Sequence, residues 1–267
     1  MAEWWRPYGV LIGSRLRSQT AYRRSFALDL VGAVGIGLVE FVEIYVVFTN
    51  VDVLGELDFA AALLVFALAN ISFSLADTLV GHVDNLPTYL REGTLDAFML
   101  RPLPVLAQLV SSDVSLRRLG RTLLAVVILA IAVPMNDIAW SPSTVLLFAI
   151  VPVAGTAIFA ALFVCAGAAQ FWLVEGGEFT SAFTYGAGYA SQYPASIFTV
   201  PMRVLFTFVV PASFVAYLPA LVLLDLPAPG GLPSWIGWLS PVAAVAIWGV
   251  ALAGWRAGLR HYTGAGS

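Results

Sequence analysis

Apolar residues form long runs along the chain, separated by shorter stretches that carry most of the charged residues. A window of about 19 residues predicts six membrane-spanning helices. These runs are Leu28–Phe48, Phe59–Gly81, Thr122–Met135, Val145–Leu173, Met202–Leu224 and Leu239–Trp255. A helix needs roughly 17–25 apolar residues to cross the hydrocarbon core, so the third run is short and the fourth is long. The pattern predicts an all-α membrane protein with six transmembrane helices, residues 28–267, preceded by a separate segment, residues 1–27.

Composition agrees with this class and restricts the chemistry of the chain. Of the 267 residues, 60% are hydrophobic and 11% are charged, whereas soluble domains average about 25% charged residues. No lysine occurs, so the chain lacks the G-x-x-x-x-G-K-[ST] loop that holds ATP phosphates. His82 and His261 have no second ligand at metal-binding spacing. We therefore expect no catalytic residue, metal or cofactor in this chain, and ATP hydrolysis by that loop would require another chain.

The positions of the basic residues predict the orientation in the membrane. All 13 are arginines. Five precede the first run, five lie between the second and third, one lies between the fourth and fifth, and two follow the sixth. Because cytoplasmic loops are enriched in basic residues, both termini are predicted to be cytoplasmic.

The N-terminal segment, residues 1–27, has the pattern of an amphipathic helix lying in the membrane interface. Trp4 and Trp5 belong to its apolar face, and Arg6 and Arg17 fall on the opposite face. Helices with aromatic and basic faces of this kind bind at the lipid headgroups. The segment is interpreted either as an anchor or as a lever that transmits cytoplasmic motion to the first span.

The loop between the second and third runs, about residues 82–121, is long and predicts a short helix. In "REGTLDAFMLRPLP", Thr94 is a candidate N-cap, and Leu95, Phe98 and Met99 form an apolar stripe. The following "RPLP" ends the helix because proline disfavours helical geometry in the residue before it. A helix presented in this way can dock into a groove of a partner, or it can lie on the lipid surface.

Polar residues occur at two further places where the surrounding sequence is apolar. Residues 175–200, "EGGEFTSAFTYGAGYASQYPASIFTV", are too rich in hydroxyl-bearing and small residues for a lipid-facing span, which predicts an interfacial or partly re-entrant element on the inner side.

Glu40 and Glu43 lie within the first span at a spacing that places them on one helix face. Carboxylates inside a membrane usually face a cavity or a partner. Their interpretations, a wall of a translocation path or a structural hydrogen-bonding role, both stay open.

Three stretches together resemble the type-2 ABC exporter permease family, in particular its bacterial uncharacterised and drug-export members. They are "REGTLDAFMLRPLP", "YPASIFTVPMRVLFTFVVPASFVAYLPA" and "WRAGLRHYTGAGS". The order of an amphipathic N-terminal helix, two spans, a helix-bearing cytoplasmic loop and four spans matches as well, so the resemblance covers essentially the whole chain.

The resemblance implies a permease that pairs with a second permease protomer and two ATP-binding-cassette ATPase subunits, which bind the ATP and magnesium. It implies that residues 1–27 form the connecting helix and that the loop helix couples to the ATPase. The expected coupling residues are Arg91, Glu92, Leu95, Asp96, Phe98 and Arg101. The path between protomers makes Glu40, Glu43 and Asn70 candidate lining residues. Members of this subgroup often have a similar second permease, which favours a heterodimer.

Two functions remain from the sequence. The first is export of an amphipathic or hydrophobic compound, such as a drug, antibiotic or lipid, across a bacterial cytoplasmic membrane. The second is an ion- or proton-coupled secondary transporter that uses Glu40 and Glu43. The second leaves the long loop unexplained, and no internal inverted repeat of the kind many such carriers have is visible.

Overall fold

A computed structural model describes residue 13 and residues 23–112, 116–173 and 177–263. The described residues form eleven α-helices, joined by short 3₁₀ and π-helical turns. In chain order α1 to α11 they are Arg23–Asn50, Phe59–Val80, Leu86–Arg91, Leu95–Met99, Val105–Ser112, Leu119–Met135, Pro142–Ala169, Gly177–Ser191, Val200–Val204, Tyr217–Leu223 and Ser240–His261. Trp4, Trp5, Arg6 and Arg17 of the predicted connecting helix lie outside the described residues.

Within the described ranges, four helices are long and apolar enough to cross a membrane, and a fifth candidate is a bent pair. The four are α1, α2, α7 and α11, the last together with the turn that precedes it. The pair, Val200–Val209 and Ala212–Leu223, is bent by 66°. The 17 residues of α6 form a shorter apolar helix. The chain is therefore a multi-pass membrane protein.

Helix α2 is the centre of the bundle. In its most apolar window 83% of the residues are buried, compared with 17% in α1. It packs against α6 and α7, while α11 lies along α7 and α1 lies along α6. Buried hydroxyls on α2 are satisfied within the helix, as where Ser72 Oγ donates to the carbonyl of Leu68 at 2.8 Å. A central helix with its polar groups satisfied internally fits the demand of a lipid environment.

Hydrogen bonds identify which segments meet at each end of this bundle. At the end where α2 begins, called here the Glu56 end, Asp58 caps α2 and Asn136 Nδ2 donates to the carbonyl of Ala60 at 2.9 Å. At the end where α2 finishes, called the Asp77 end, Arg118 Nη1 contacts Asp77 Oδ1 at 2.6 Å. The long loop with α3, α4 and α5 follows directly from the Asp77 end.

Helix α8 corrects the expectation of an interfacial or re-entrant element on the inner side. Near its beginning, Thr180 Oγ1 accepts a hydrogen bond from Gln170 Nε2 at 2.8 Å, just after α7 finishes at the Asp77 end. Shortly after α8, Ser196 Oγ donates to Glu56 Oε2 at 2.7 Å. Residues 177–196 therefore run from one end of the bundle to the other.

The predicted fifth span, Met202–Leu224, is interrupted between Val209 and Ala212, as in a broken span or a re-entrant loop, and both of its ends have contacts at the Glu56 end; we call this bent pair the hairpin. At its start Arg203 Nη2 donates to the carbonyl of Ser196 at 2.9 Å. After it, Leu224 and Leu226 line a pocket together with Glu56. Its turn is held in the middle of the bundle, where Val215 lies against Gly155 and Ser72. Proline at 211 removes a helical donor at the bend, which favours this break.

Arg203, at the start of the hairpin, lies at a different end of the bundle from the one that the sequence predicts. The sequence predicts Arg203 in a cytoplasmic loop, but its Nη2 donates to the carbonyls of Ser196 and Phe198 at the Glu56 end. Arg118 is ion-paired at the Asp77 end. Arg118 and Arg203 therefore lie at opposite ends of the described bundle.

Candidate coupling loop and membrane cavity

The long loop at the Asp77 end folds into three short helices around two sharp breaks. Gly93, with φ of +67°, separates α3 from α4 in a conformation that favours glycine. Arg101–Pro104 then separates α4 from α5. Gln108 Nε2 of α5 donates to the carbonyls of Phe98 at 2.9 Å and Leu103 at 2.8 Å. These hydrogen bonds hold the end of α4 against α5, so the loop is folded and is not an extended linker.

Part of the predicted apolar stripe faces the protein itself. Leu95 is fully buried, and the half-buried Phe98 ring packs at 5.5 Å from the ring of Tyr89. Leu95 therefore packs inward and Phe98 is only partly exposed, while the coupling role of both residues stays a prediction. Thr94 occupies the N-cap position of α4, but its side chain makes no capping hydrogen bond, which corrects the predicted cap.

The outward surface of the loop carries the other predicted coupling residues. Arg91, Glu92 and Arg101 are exposed, and Asp96 is half-exposed. Two apolar side chains accompany them, Met99 with 47% of its surface exposed and Leu100 with 87%. An apolar pair surrounded by charges of both signs has the composition of a protein-docking patch. We call Arg91, Glu92, Met99, Leu100 and Arg101 the loop patch.

The loop is connected to the bundle through His82 and Tyr89. His82 Nε2 and Tyr89 Oη are 2.9 Å apart, and Tyr89 in turn packs on Phe98. His82 belongs to the 3₁₀ turn that directly continues α2, the central helix. A displacement of α4 would therefore reach α2 through a short chain of contacts.

A buried ion pair lies deeper in the bundle, between α1 and α6. Arg121 Nη2 donates to Glu40 Oε1 in a short hydrogen bond. Arginine near the end of a spanning helix usually extends toward water, but Arg121 reaches along α1 past Gly37 into the bundle. Glu40 Oε2 and Arg121 Nε are buried and have no hydrogen-bond partner among the described residues. The pair is thus only partly satisfied.

A cavity of about 210 Å³ opens beside this pair. Its walls come from α1, α2, α6 and α8. The lining residues are Ile36, Glu40, Phe73, Arg121, Tyr185, Gly188, Tyr189 and Gln192. The guanidinium of Arg121 lies 5.5 Å from the centre of the Phe73 ring, and the rings of Phe73 and Tyr185 are 5.5 Å apart. The cavity therefore combines one ion pair with an aromatic wall, and we call it the Glu40 cavity.

The other predicted path residues lie in different surroundings. Glu43 is exposed on α1, whereas Glu40 is 4% exposed, so the two carboxylates do not share one environment. Asn70 is buried on α2, where its Nδ2 donates to the carbonyl of Phe66 at 3.2 Å, and it is not among the residues that line the Glu40 cavity. The structure therefore brings Glu40 alone of the three candidates into the cavity.

Comparison with known proteins assigns the family. Residues 34–266 match the family model described as ABC-2 family transporter protein. The matched range covers most of the chain, including the loop patch and the Glu40 cavity. The chain belongs to the ABC-2 transporter family. Comparisons of this ABC-2 family protein with curated proteins and with solved structures gave no significant match.

Membership identifies this ABC-2 family protein as the membrane component of an ABC transporter, which is a permease subunit that associates with ABC ATPase subunits. Such a component is typically not catalytic itself. Such a subunit needs a surface that contacts the ATPase and a cavity that binds the transported compound.

Several residues of this ABC-2 family protein that matter to its sites were not singled out by the sequence. Sequence position makes Arg121 one of the basic residues of the long loop, and only the rule that a carboxylate inside a span needs a cationic partner could have singled it out. Tyr185 and Tyr189 belong to a segment that was assigned to the membrane surface. Glu56, which accepts hydrogen bonds from Ser196 and Tyr217, carried no recognisable signal because its partners lie 140 and 161 positions away.

Proposed function

We propose that this chain is the permease subunit of an ATP-binding-cassette exporter in a bacterial cytoplasmic membrane. In this proposal it moves an amphipathic or hydrophobic compound outward, and two partner ATPase subunits bind and hydrolyse ATP with magnesium. A second permease protomer, preferably a different chain, completes the complex. The observation that carries the proposal is the loop patch, a folded surface at the Asp77 end that exposes two apolar side chains among charges of both signs.

The arginine distribution supports placing the Asp77 end in the cytoplasm. Arg91, Arg101 and Arg118 belong to the loop at that end, and Arg256 and Arg260 lie in the part of α11 that finishes there. Basic residues favour the cytoplasmic side of a bacterial membrane. With α1, α2, α6, α7, α8 and α11 as the six crossings, both termini are cytoplasmic, as the sequence predicts, although α8 replaces Met202–Leu224 as the fifth crossing.

Coupling then follows from the contacts of the loop. Closure of the ATPase pair displaces the loop patch, and Phe98, Tyr89 and His82 transmit that displacement to α2. Because α2 contacts most of the bundle, its tilt changes which face of the permease is open. ATP binding shifts the population between inward- and outward-open states by its different affinity for the two.

The test replaces exposed apolar residues of the loop patch with charged ones. Met99→Asp and Leu100→Asp are expected to lower ATPase co-purification and coupled ATPase activity by about tenfold or more, because a buried unpaired charge at an interface costs several kcal/mol. Both positions are exposed in the isolated chain, so folding in detergent should be unchanged. Co-purified chains are identified by mass spectrometry.

Val53→Asp is the matched control, because Val53 is an apolar residue with 56% exposure at the opposite end of the bundle. It should leave ATPase association unchanged. Normal ATPase association of both loop variants would show that the loop patch does not couple. Absence of any ATP-binding-cassette subunit from the native complex would instead favour the secondary transporter that uses Glu40 and Glu43.

A further inference from the structure

The Glu40 cavity has features of a ligand site beyond those needed to hold the bundle together. A structural ion pair satisfies its own atoms, but Glu40 Oε2 is buried and accepts no hydrogen bond from any described residue. The Glu40 side chain is 5% exposed, so bulk water does not solvate this oxygen freely. A buried polar atom without a partner costs free energy. An arriving ligand that donates a hydrogen bond would remove that cost.

The walls of the Glu40 cavity favour a positively charged donor. Phe73, Tyr185 and Tyr189 provide aromatic rings, whose faces attract organic cations. The paired Glu40 and Arg121 cancel each other's charge. The acceptor Glu40 Oε2, which has no partner among the described residues, and the aromatic rings of the wall therefore favour a cationic hydrogen-bond donor over an anion.

The size of the Glu40 cavity limits how much of a ligand it can hold. Its volume is about 210 Å³, whereas cavities for drug-sized ligands measure about 300–1,000 Å³. At roughly 30 Å³ for each water molecule, it has room for about seven waters. A compact amine headgroup fits this space, but a long apolar tail does not. The tail would have to remain outside, among the lipid chains beside the exposed Val39 and Val42 of α1.

The backbone of α8 is shaped to keep this space open. A side chain at Gly188 would begin 3.0 Å from the ring of Phe73, which is closer than real Cβ contacts usually come. Glycine at this position allows α8 to approach α2 while the larger Tyr185 and Tyr189 line the cavity. The wall is thus formed by close backbone approach and by aromatic rings.

We propose that the Glu40 cavity binds the protonated amine headgroup of an amphipathic compound, with Glu40 Oε2 accepting its hydrogen bond and the aromatic wall contacting its charge. This assignment rests on the proposed function and narrows its substrate class to cationic amphiphiles. It does not require the ATPase for binding, so it can be tested with this chain alone.

The test measures equilibrium binding of radiolabelled dodecylamine to the full chain in lipid nanodiscs, corrected for partition into empty nanodiscs. Dodecanol and dodecanoate serve as uncharged and anionic probes of matched length. Dodecylamine is expected to bind at least about tenfold more tightly than either. Glu40→Gln is expected to weaken dodecylamine binding by about tenfold or more, because it removes a charge-assisted hydrogen bond. Asp137→Asn, which removes a carboxylate at the Glu56 end, should leave binding unchanged.

A charge-swapped variant separates a ligand site from a structural ion pair. Glu40→Arg combined with Arg121→Glu keeps two opposite charges for folding but moves the acceptor out of its position. Persistent loss of amine binding in this folded variant supports the assignment. Restored binding, equal binding of dodecanol, or unchanged affinity in Glu40→Gln would overturn it. Failure of the proposed function has a different signature, since loss of ATPase association leaves amine binding by the isolated chain unaffected.

Discussion

At the scale of single residues, three acidic side chains of the described bundle bind partners that are distant in sequence. Glu40 is paired with Arg121 on a different helix, and Asp77 is paired with Arg118. Glu56 accepts hydrogen bonds from Ser196 Oγ at 2.7 Å and Tyr217 Oη at 2.8 Å. Each of these interactions joins segments that are distant in sequence, so one side chain restrains the position of one segment relative to another.

The Glu56 group predicts a measurable loss of stability. Tyr217→Phe removes one hydrogen bond to a carboxylate while keeping the buried ring, and it should lower the free energy of unfolding by about 1–2 kcal/mol. Tyr45→Phe, on the exposed surface of α1, should change it by less than about 0.5 kcal/mol. Thermal unfolding in detergent measures both. Equal stability of the two variants would show that the Glu56 bond contributes nothing net.

Residue roles could be predicted from the sequence only where local spacing decides them. The segment containing Leu95, Phe98 and Met99 was predicted as a helix with an apolar stripe, and α4 confirms the helix. Which side of that stripe faces the protein depends on Tyr89 and on Gln108, and the helical period carries no information about either contact. Likewise the presence of Glu40 in a span indicates a partner, but the pairing with Arg121 spans 81 positions.

At the scale of elements, the hairpin of α9 and α10 sets the shape of the Glu56 end. Its turn lies against Gly155, and Ser240 Oγ at the start of α11 donates to the carbonyl of Phe214 at 2.8 Å. The last helix therefore begins beside the deepest part of the hairpin. A displacement of α11 would be transmitted to the hairpin through this contact.

Cysteine labelling distinguishes this hairpin from a crossing helix. In a Cys165→Ser background, Thr199→Cys and Ser234→Cys occupy exposed positions on either side of the hairpin. Both should react with a membrane-impermeant maleimide added to intact cells. Ala97→Cys, exposed on α4, should react only after the cells are opened. If Thr199→Cys behaved like Ala97→Cys, residues 200–223 would cross the membrane and the hairpin would be wrong.

Hydropathy predicts several helices well and does not predict α8, for a physical reason. The predicted runs Leu28–Phe48 and Phe59–Gly81 match α1 and α2 closely, because both are continuous apolar segments. Helix α8 has only 15 residues and is rich in hydroxyl groups, so it scores below the more apolar hairpin. Thr180, Thr184 and Ser191 of α8 are buried by neighbouring elements, and such burial cannot be read from hydropathy.

At the scale of the whole molecule, α1 is the least buried of the four long apolar helices. Its most apolar window is 17% buried, and Val31, Val39 and Val42 are exposed. In the proposed complex this surface faces either lipid or the second permease. The loop patch lies at the Asp77 end and faces the ATPase. The two partners therefore occupy separate surfaces.

Photo-crosslinking tests that arrangement. A benzoylphenylalanine at Val39 is expected to give an adduct with a second permease chain, and one at Leu100 an adduct with the ATPase. Mass spectrometry of the adducts identifies each partner, and a different permease sequence at Val39 would establish the heterodimer. Adducts of Val39 with lipid alone would contradict α1 as the contact between protomers.

The ion pair of Glu40 and Arg121 has an electrical consequence for the working transporter. Moving one elementary charge across a membrane changes its energy by about 2.3 kcal/mol for each 100 mV. Because the pair carries no net charge, its own displacement does no work against the transmembrane voltage. A cationic cargo, by contrast, brings its own charge into that field. The voltage would therefore act on the bound cargo and not on the ion pair beside it.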